Sequence, residues 1–457
     1  MRIPFLPAQM LLPAGVFLCS LAMQFVLNRP MSAEEKTPAE LAKKVGSLVD
    51  QDEKRLLEIF LHLHTHPELG FQEVQTAALV AKEFKDLGYE THTGIGKTGV
   101  VGILKNGPGP VVMFRSDMDA LPVLEETGLP YASRATGTSS SGSLVPVMHA
   151  CGHDAHVAFL IGVAKVMAEL KGTWSGTLVL IAQPAEELIE GARAMVQGGL
   201  YDKAPPPDVL IASHVTPQHA TGTASVKAGR RNAGTDQIDV IITGVGGHGS
   251  APHQAKNPVE LGAFAVLTYQ SLVSQSIDPQ EPSVLTVGSF QAGDANNVIP
   301  DVATLKVNIR WFEPAVREKL IAGIKRVTDA IATAADVPQD RMPRYIMKGS
   351  AGPLINDEEA VRRAEPALRL ALGESNAVPG LPTAMGSEDF QDLASPHPTT
   401  KILHVRIGCG PADVQEQIKQ GHPPAPGHSA KFKVALPTIA AGTKADAMVL
   451  MEFLKKQ

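Results

Sequence analysis

Two rhythms of secondary structure, one nested inside the other, constrain what this chain can fold into. From about residue 45, short apolar runs alternate with helical patterns. Residues 100–104, 111–114, 178–181 and 209–212 read as buried strands, and 56–63, 74–87 and 157–170 as helices. Such alternation predicts an α/β fold with a mixed, mainly parallel sheet covered on both faces. Near Asn232 the rhythm changes to strand 237–243, helix 258–275, strand 284–290, strand 303–311, helix 315–334 and strand 344–347. That β-α-β-β-α-β order is the split βαβ signature of a small ferredoxin-like α+β domain. The α/β pattern then resumes to the C-terminus. The expected organisation is a discontinuous main domain, 45–231 and 349–457, interrupted by an inserted one at 232–348. A length of 457 residues agrees with two cores rather than one.

The formal charge of −6, with acids and bases interspersed, argues against a nucleic-acid partner, which calls for a basic face. Cys19, Cys151 and Cys409 are too few for a disulfide framework. Residues 1–33 hold Arg2 followed by an uncharged, apolar stretch to Asn28, which reads as a secretory signal. Export to a periplasmic or extracellular location is the expectation. An uncleaved N-terminal membrane anchor is the alternative, since about 20 apolar residues span a bilayer. A polar linker around 31–40 follows, and the Ser/Gly stretch 136–143 reads as a flexible loop.

The densest chemistry lies in Met148-His149-Ala150-Cys151-Gly152-His153-Asp154. Cys151 and His153 flank a glycine, so a tight loop can aim both at one point, and thiolate plus imidazole suit zinc and related ions. An isolated Cys-x-His is more often a buried thiol beside a capping pair; the crowding by His149, Asp154 and His156 reverses that preference. Glu186-Glu187 follows the apolar strand 178–181, where one carboxylate can bind metal while its neighbour serves as general base. An exposed pair at a helix start is the ordinary alternative. His214 is expected to end the strand 209–213, and His428 sits in Pro426-Gly427-His428-Ser429. His64, His66 and His92 are assigned to surface or satisfied core positions. Asp117-Met118-Asp119 follows a strand, where carboxylates orient ligands. The glycine-rich loop 244–252 bears His248 and lacks the lysine of a phosphate-binding loop. Asn297 and Arg310 are candidates to hold a substrate carboxylate.

Together these motifs resemble the metal-dependent N-acyl-amino-acid amidohydrolases, the group that includes hippurate hydrolases and indole-acetyl-amino-acid hydrolases. The resemblance rests on His64-Thr65-His66-Pro67-Glu68-Leu69, 116–122, 148–154, 183–187, 246–252, 297–301, 386–390 and His428-Ser429, in that order. It implies a two-metal site with Cys151, His153, Glu187, His214 and His428 as ligands and Glu186 as general base. His248, supplied by the inserted lid domain of the same or a partner subunit, would stabilise the oxyanion. Asp119 would be the orienting carboxylate, whereas Asp117 stands where the wider superfamily has a different residue pattern. The implied reaction is hydrolysis of the amide bond of N-acyl amino acids by a two-metal-activated water. A metallo-dipeptidase or carboxypeptidase using the same site is the alternative. Zinc or manganese are the expected metals, with cobalt or nickel also suited, and the lid domain is the expected homodimer surface.

Overall fold

The computed structural model describes residues 37–456, so the expected leader at 1–33 lies outside the described residues. Among those residues no helix is long and apolar enough to cross a membrane. Helix α1 (Pro38–Thr65) begins within the stretch expected to be a linker and carries apolar residues at helical spacing, Val45, Val49, Leu56 and Leu63, onto one buried face. Helix α2 (Val74–Asp86) leads into β1 (Glu90–Ile95), β2 (Gly99–Asn106) and β3 (Val111–Asp117). Next come α3 (His153–Glu169), β4 (Gly176–Gln183), β5 (Val209–Ala220) and the two-residue β6 (Ala224–Ser225). The inserted segment supplies β7 (Gly234–Thr243), α4 (Pro258–Ser276), β8 (Val284–Ala292), β9 (Val302–Trp311), α5 (Pro314–Ala334) and β10 (Arg344–Ala351). The chain returns through α6 (Glu358–Leu372), β11 (Lys401–Gly410) and α7 (Thr438–Leu454).

The large sheet has the order β1-β2-β4-β3-β5-β11-β6. Its centre is parallel, with β4, β3, β5 and β11 side by side, and both margins are antiparallel. The expected mixed α/β sheet is therefore present. Alternate residues separate the two faces, as the pleat requires. Val112, Phe114, Leu178, Leu180 and Ile211 join the core formed with α1, α3, α6 and α7. Met113, Val179, Ile181, Leu210 and Ala212 join the opposite core with Met195, Leu200 and Phe390. Helix α3 is buried almost all round, which explains its lack of a polar face.

In the inserted segment the sheet order is β8-β9-β7-β10 and every pairing is antiparallel. Helices α4 and α5 cover it, and Tyr269, Leu320 and Ile324 close a separate core over Val240 and Leu305. This is the split βαβ topology expected from the sequence. From Pro38 onward the chain nevertheless forms one compact unit. Two local readings are corrected. Strand β5 does not stop before His214 but runs on to Ala220, because β11 continues to pair with it past Arg406. The stretch 136–143 is not a free loop: Thr136–Thr138 pairs with Leu144–Pro146, and Ser139 N–H closes the turn on Ser143 O at 2.9 Å.

Candidate metal centre

The parallel centre of the sheet places the carboxyl ends of β3 and β4 beside β5, where open α/β sheets carry their sites. Local backbone then aims the side chains. Gly152, just before α3, sits at φ 85°, and a Cβ there would lie 2.5 Å from Val215 Cγ2. A glycine therefore lets Cys151 and His153 approach β5. Beyond β4, Ala185 and Ile189 both take positive φ, at 49° and 56°, an arrangement that only a constraining surround maintains. That surround is Glu73 Oε1, which accepts Ala185 N–H at 2.8 Å, and Asp119 Oδ2, which accepts Glu187 N–H at 3.0 Å. His428, itself at φ 69°, is tied to the Cys151 loop by its N–H to Ala150 O at 2.8 Å.

The five side chains expected to bind metal are gathered. Cys151, His153 and His214 form one group and Cys151, Glu187 and His428 another, each with ligand atoms within 4.8 Å of one another. Sharing of Cys151 between two such groups is a layout for two cations. His214 Nδ1 donates to Val215 O at 2.7 Å, so its Nε2 lone pair faces Cys151 Sγ at 3.4 Å. His153 Nδ1 likewise donates to Asp119 O at 2.9 Å and turns Nε2 inward. His153 Nε2 and Glu187 Oε1 lie 3.9 Å apart, both buried and without a hydrogen-bond partner. Orphaned acceptors of this kind are costly to bury, and a divalent cation between them would satisfy both. The residues present therefore fit a pair of divalent cations. Cys151 Sγ and the Glu187 carboxylate, whose Oε2 lies 3.2 Å from His428 Nε2, raise that imidazole to about 10.

Glu186 is buried beside this group, and burial, Glu388 and Glu187 hold its carboxyl well above the usual range. Behind it Arg115 anchors a charged network. Its guanidinium donates to Asp117 Oδ2 at 2.5 Å, Gln183 Oε1 at 2.9 Å, Glu388 Oε1 at 3.0 Å and Asp389 Oδ1 at 3.3 Å. Asp117 also accepts from His156 Nδ1 at 2.5 Å, while His156 Nε2 accepts Val215 N–H at 2.9 Å. Both nitrogens of His156 are thus spent on structure. His64 is a satisfied core histidine between Asp154 (2.6 Å) and Glu125 (3.3 Å), which raise it to about 10 against burial. His149 is buried with neither ring nitrogen hydrogen-bonded, and burial pushes it down to about 4.

The inserted segment contributes unequally. Arg310 donates through Nε to Asn308 Oδ1 at 2.7 Å, while its Nη1 is buried without a partner. Burial lowers its pKa and the Glu186 carboxylate counters that shift. His248 and Asn297 are exposed; the His248 imidazole accepts from Ser250, and Gly249 N–H donates to Asn297 O at 2.8 Å. Neither is brought to the Cys151–Glu187 group. Residues to which the sequence reading gave no role are Glu73, Arg115, His404, Arg231 and Arg406, and also Glu388 and Asp389 within the 386–390 motif. For Glu388-Asp389 the available signal was their place in the 386–390 motif; His404 and Arg406 interrupt the otherwise apolar run 402–409 of β11.

The model of the peptidase family M20/M25/M40 matches residues 113–437. A hippurate hydrolase of Campylobacter jejuni is 39% identical over 330 residues, which is 72% of this chain and 82% of that protein. An N-acyl-L-amino acid amidohydrolase of Geobacillus stearothermophilus is 36% identical over 294 residues, or 64% of this chain and 76% of that one. The solved structure of a dinuclear metal-binding peptidase of the M20 family from Bacillus subtilis superposes with a TM-score of 0.68 at 25% identity, covering 89% of this chain and 99% of that one. With its donors for two divalent cations beside a buried glutamate, this chain belongs to the peptidase family M20/M25/M40 and is a hydrolase of amide C–N bonds.

Proposed function

We propose that the substrates are N-acyl amino acids, cleaved to a carboxylic acid and a free amino acid. The observation that carries this reading is Glu186, a buried carboxyl with a raised proton affinity beside the donor group. Cys151, His153, Glu187, His214 and His428 would hold the two cations, zinc or manganese by donor type. When bound, such cations polarise an amide carbonyl and lower the pKa of water. Glu186 takes the proton of the attacking water and returns it to the leaving nitrogen, so its carboxyl must be easily protonated. Arg310, whose buried Nη1 has no partner, grips the amino-acid carboxylate, and Asn297 joins it only once the inserted segment is brought over the site. His248 stabilises the oxyanion once the inserted segment of the same or a partner subunit is brought over the site. Phe264 and Leu267 on α4 are 54% and 72% exposed, an apolar face that supports pairing with a second copy there. The names of the relatives above agree with this substrate class.

Metal-loaded protein should hydrolyse N-benzoyl and N-acetyl amino acids faster than dipeptides. The Glu186→Gln variant should lose about 10²–10⁴-fold in kcat while binding the same amount of metal. Faster cleavage of dipeptides would make the peptidase reading the better one. Unchanged turnover in Glu186→Gln would remove its assigned role.

A further inference from the structure

His248 stands in the glycine-rich loop of the inserted segment, where its side chain is exposed but its backbone is held from both sides. Gly247 and His248 pair antiparallel with Ile299 and Val298, and Gly249 N–H donates to Asn297 O at 2.8 Å. Gly246 N–H donates to Asp301 Oδ1 at 3.1 Å. Beyond His248 the chain turns back at once, and Ala251 N–H closes the turn on His248 O at 2.8 Å. That turn lays Ser250 against the imidazole. Ser250 N–H donates to His248 Nδ1 at 3.1 Å, and Ser250 Oγ lies 2.7 Å from the same nitrogen. A backbone N–H can only donate, so Nδ1 must present its lone pair, and the rotatable hydroxyl donates to it as well. A neutral imidazole carries one proton. With Nδ1 engaged as acceptor, that proton sits on Nε2.

We infer that Ser250 is a positioning residue for the reaction: it holds His248 as the Nε2–H tautomer, so that the ring meets the oxyanion as an N–H donor. The role of His248 itself rests on the reading given under Proposed function. A developing oxyanion is stabilised only by a nitrogen that carries hydrogen. The opposite tautomer would turn a lone pair toward the negative oxygen and forfeit a donor worth about 10²–10³ in kcat at such a position. Each hydrogen bond from Ser250 favours the productive tautomer by about 2- to 10-fold and fixes the plane of the ring. The same assignment divides the labour of the site. An Nε2 that already bears hydrogen cannot take a proton from water, so that task stays with Glu186. Ser250 does all of this through the ring of His248.

Nitrogen NMR of zinc-loaded protein carrying isotope-labelled histidine reads the tautomer directly, and comparison with His248→Ala identifies the His248 signals. At about pH 9, above the ordinary histidine range, wild type should show hydrogen on Nε2 and a bare Nδ1. Hydrogen on Nδ1, or an even mixture, overturns the inference. Ser250→Ala deletes the hydroxyl and keeps the backbone donor. Its ratio of Nε2–H to Nδ1–H should fall about 2- to 10-fold, and Ser250→Thr, which restores a hydroxyl, should recover the wild-type ratio. A ratio unmoved by Ser250→Ala overturns the inference. Turnover supplies the second readout. Ser250→Ala should lower kcat for an N-benzoyl amino acid by up to about 10-fold with little change in KM. Placed in His248→Ala, the same substitution should cost nothing further, because its effect runs through the missing ring. An equal cost in both backgrounds overturns the assignment to His248. If no N-acyl amino acid is hydrolysed, the substrate reading fails alone and the tautomer ratio still decides whether Ser250 sets the state of His248.

Discussion

Asp119 acts at two of the donor residues at once. Its carbonyl accepts His153 Nδ1–H at 2.9 Å, its Oδ1 lies 3.3 Å from the same nitrogen, and its Oδ2 accepts Glu187 N–H at 3.0 Å. The backbone carbonyl fixes the His153 tautomer, whereas the carboxylate adds negative charge and anchors the strained segment that carries Glu186 and Glu187. Asp119→Ala separates these contributions, because it keeps the carbonyl and deletes the carboxylate. Metal affinity should fall about 10- to 100-fold, the usual effect of removing such a supporting group. Competition with a chromophoric chelator measures it, and an unchanged affinity would mean that the carbonyl alone orients the donors. Asp117 plays a different part. It is consumed by Arg115 and His156, lies 3.7 Å from His153 Nε2, and is held well below the usual carboxylate range with His153 and Arg115 as the main charges.

The start of α3 is the element on which the centre depends, since its first residue is His153 and the residue two before it is Cys151. Gly152→Ala would force an L side chain into a left-handed conformation, at about 1–2 kcal/mol, and drive Cβ to 2.5 Å from Val215 Cγ2. Val215 is bonded to His156 and follows His214, so relief of the clash shifts donors on both elements. Gly128→Ala is the matched control, with φ +70° and nothing within 4 Å of the added Cβ. Both variants should lower Tm, and Gly152→Ala alone should also lower metal content. Equal metal content in the two would show that the close approach to Val215 does not govern the site. The same elements show how far the sequence was legible. Strands β3 and β4 stand out because both faces are buried and each carries an unbroken apolar run, 111–114 and 178–182. Strand β1, Glu90-Thr91-His92-Thr93-Gly94-Ile95, has mostly exposed or half-buried residues at the sheet margin and shows no alternation to detect. Strand β5 reads as ending at Ser213 because His214 and the polar Thr216, Gln218 and His219 after it interrupt the apolar run. The Arg115 network joins residues more than 270 positions apart, and no local pattern announces such a pairing.

At the scale of the whole molecule, stability is coupled to pH through charges sealed in the main core. Asp446 lies on α7, the helix that packs against α1, α3 and α6. Its Oδ2 accepts from Ser213 Oγ at 2.7 Å, its Oδ1 is buried without a partner, and burial pushes its carboxyl up to about 8. In the unfolded chain the same group titrates near its ordinary value of about 3.9. Between those two values the unfolded state has released a proton that the folded state retains. The contribution of Asp446 is therefore favourable below about pH 4 and is progressively lost as pH rises toward 8. Asp446→Asn preserves an oxygen acceptor for Ser213 and removes the titration. Other shifted groups, such as Glu73 at about 7 and His64 at about 10, act alike in both proteins and cancel in the comparison. The Tm difference between variant and wild type should be small near pH 4.5 and grow in favour of Asp446→Asn up to about pH 8.5. Parallel Tm profiles across that window would show that Asp446 ionises in the folded protein as freely as in the unfolded one. A widening gap would locate part of the molecule's alkaline sensitivity in one carboxyl, hydrogen-bonded to the residue just before His214 and outside the donor group itself.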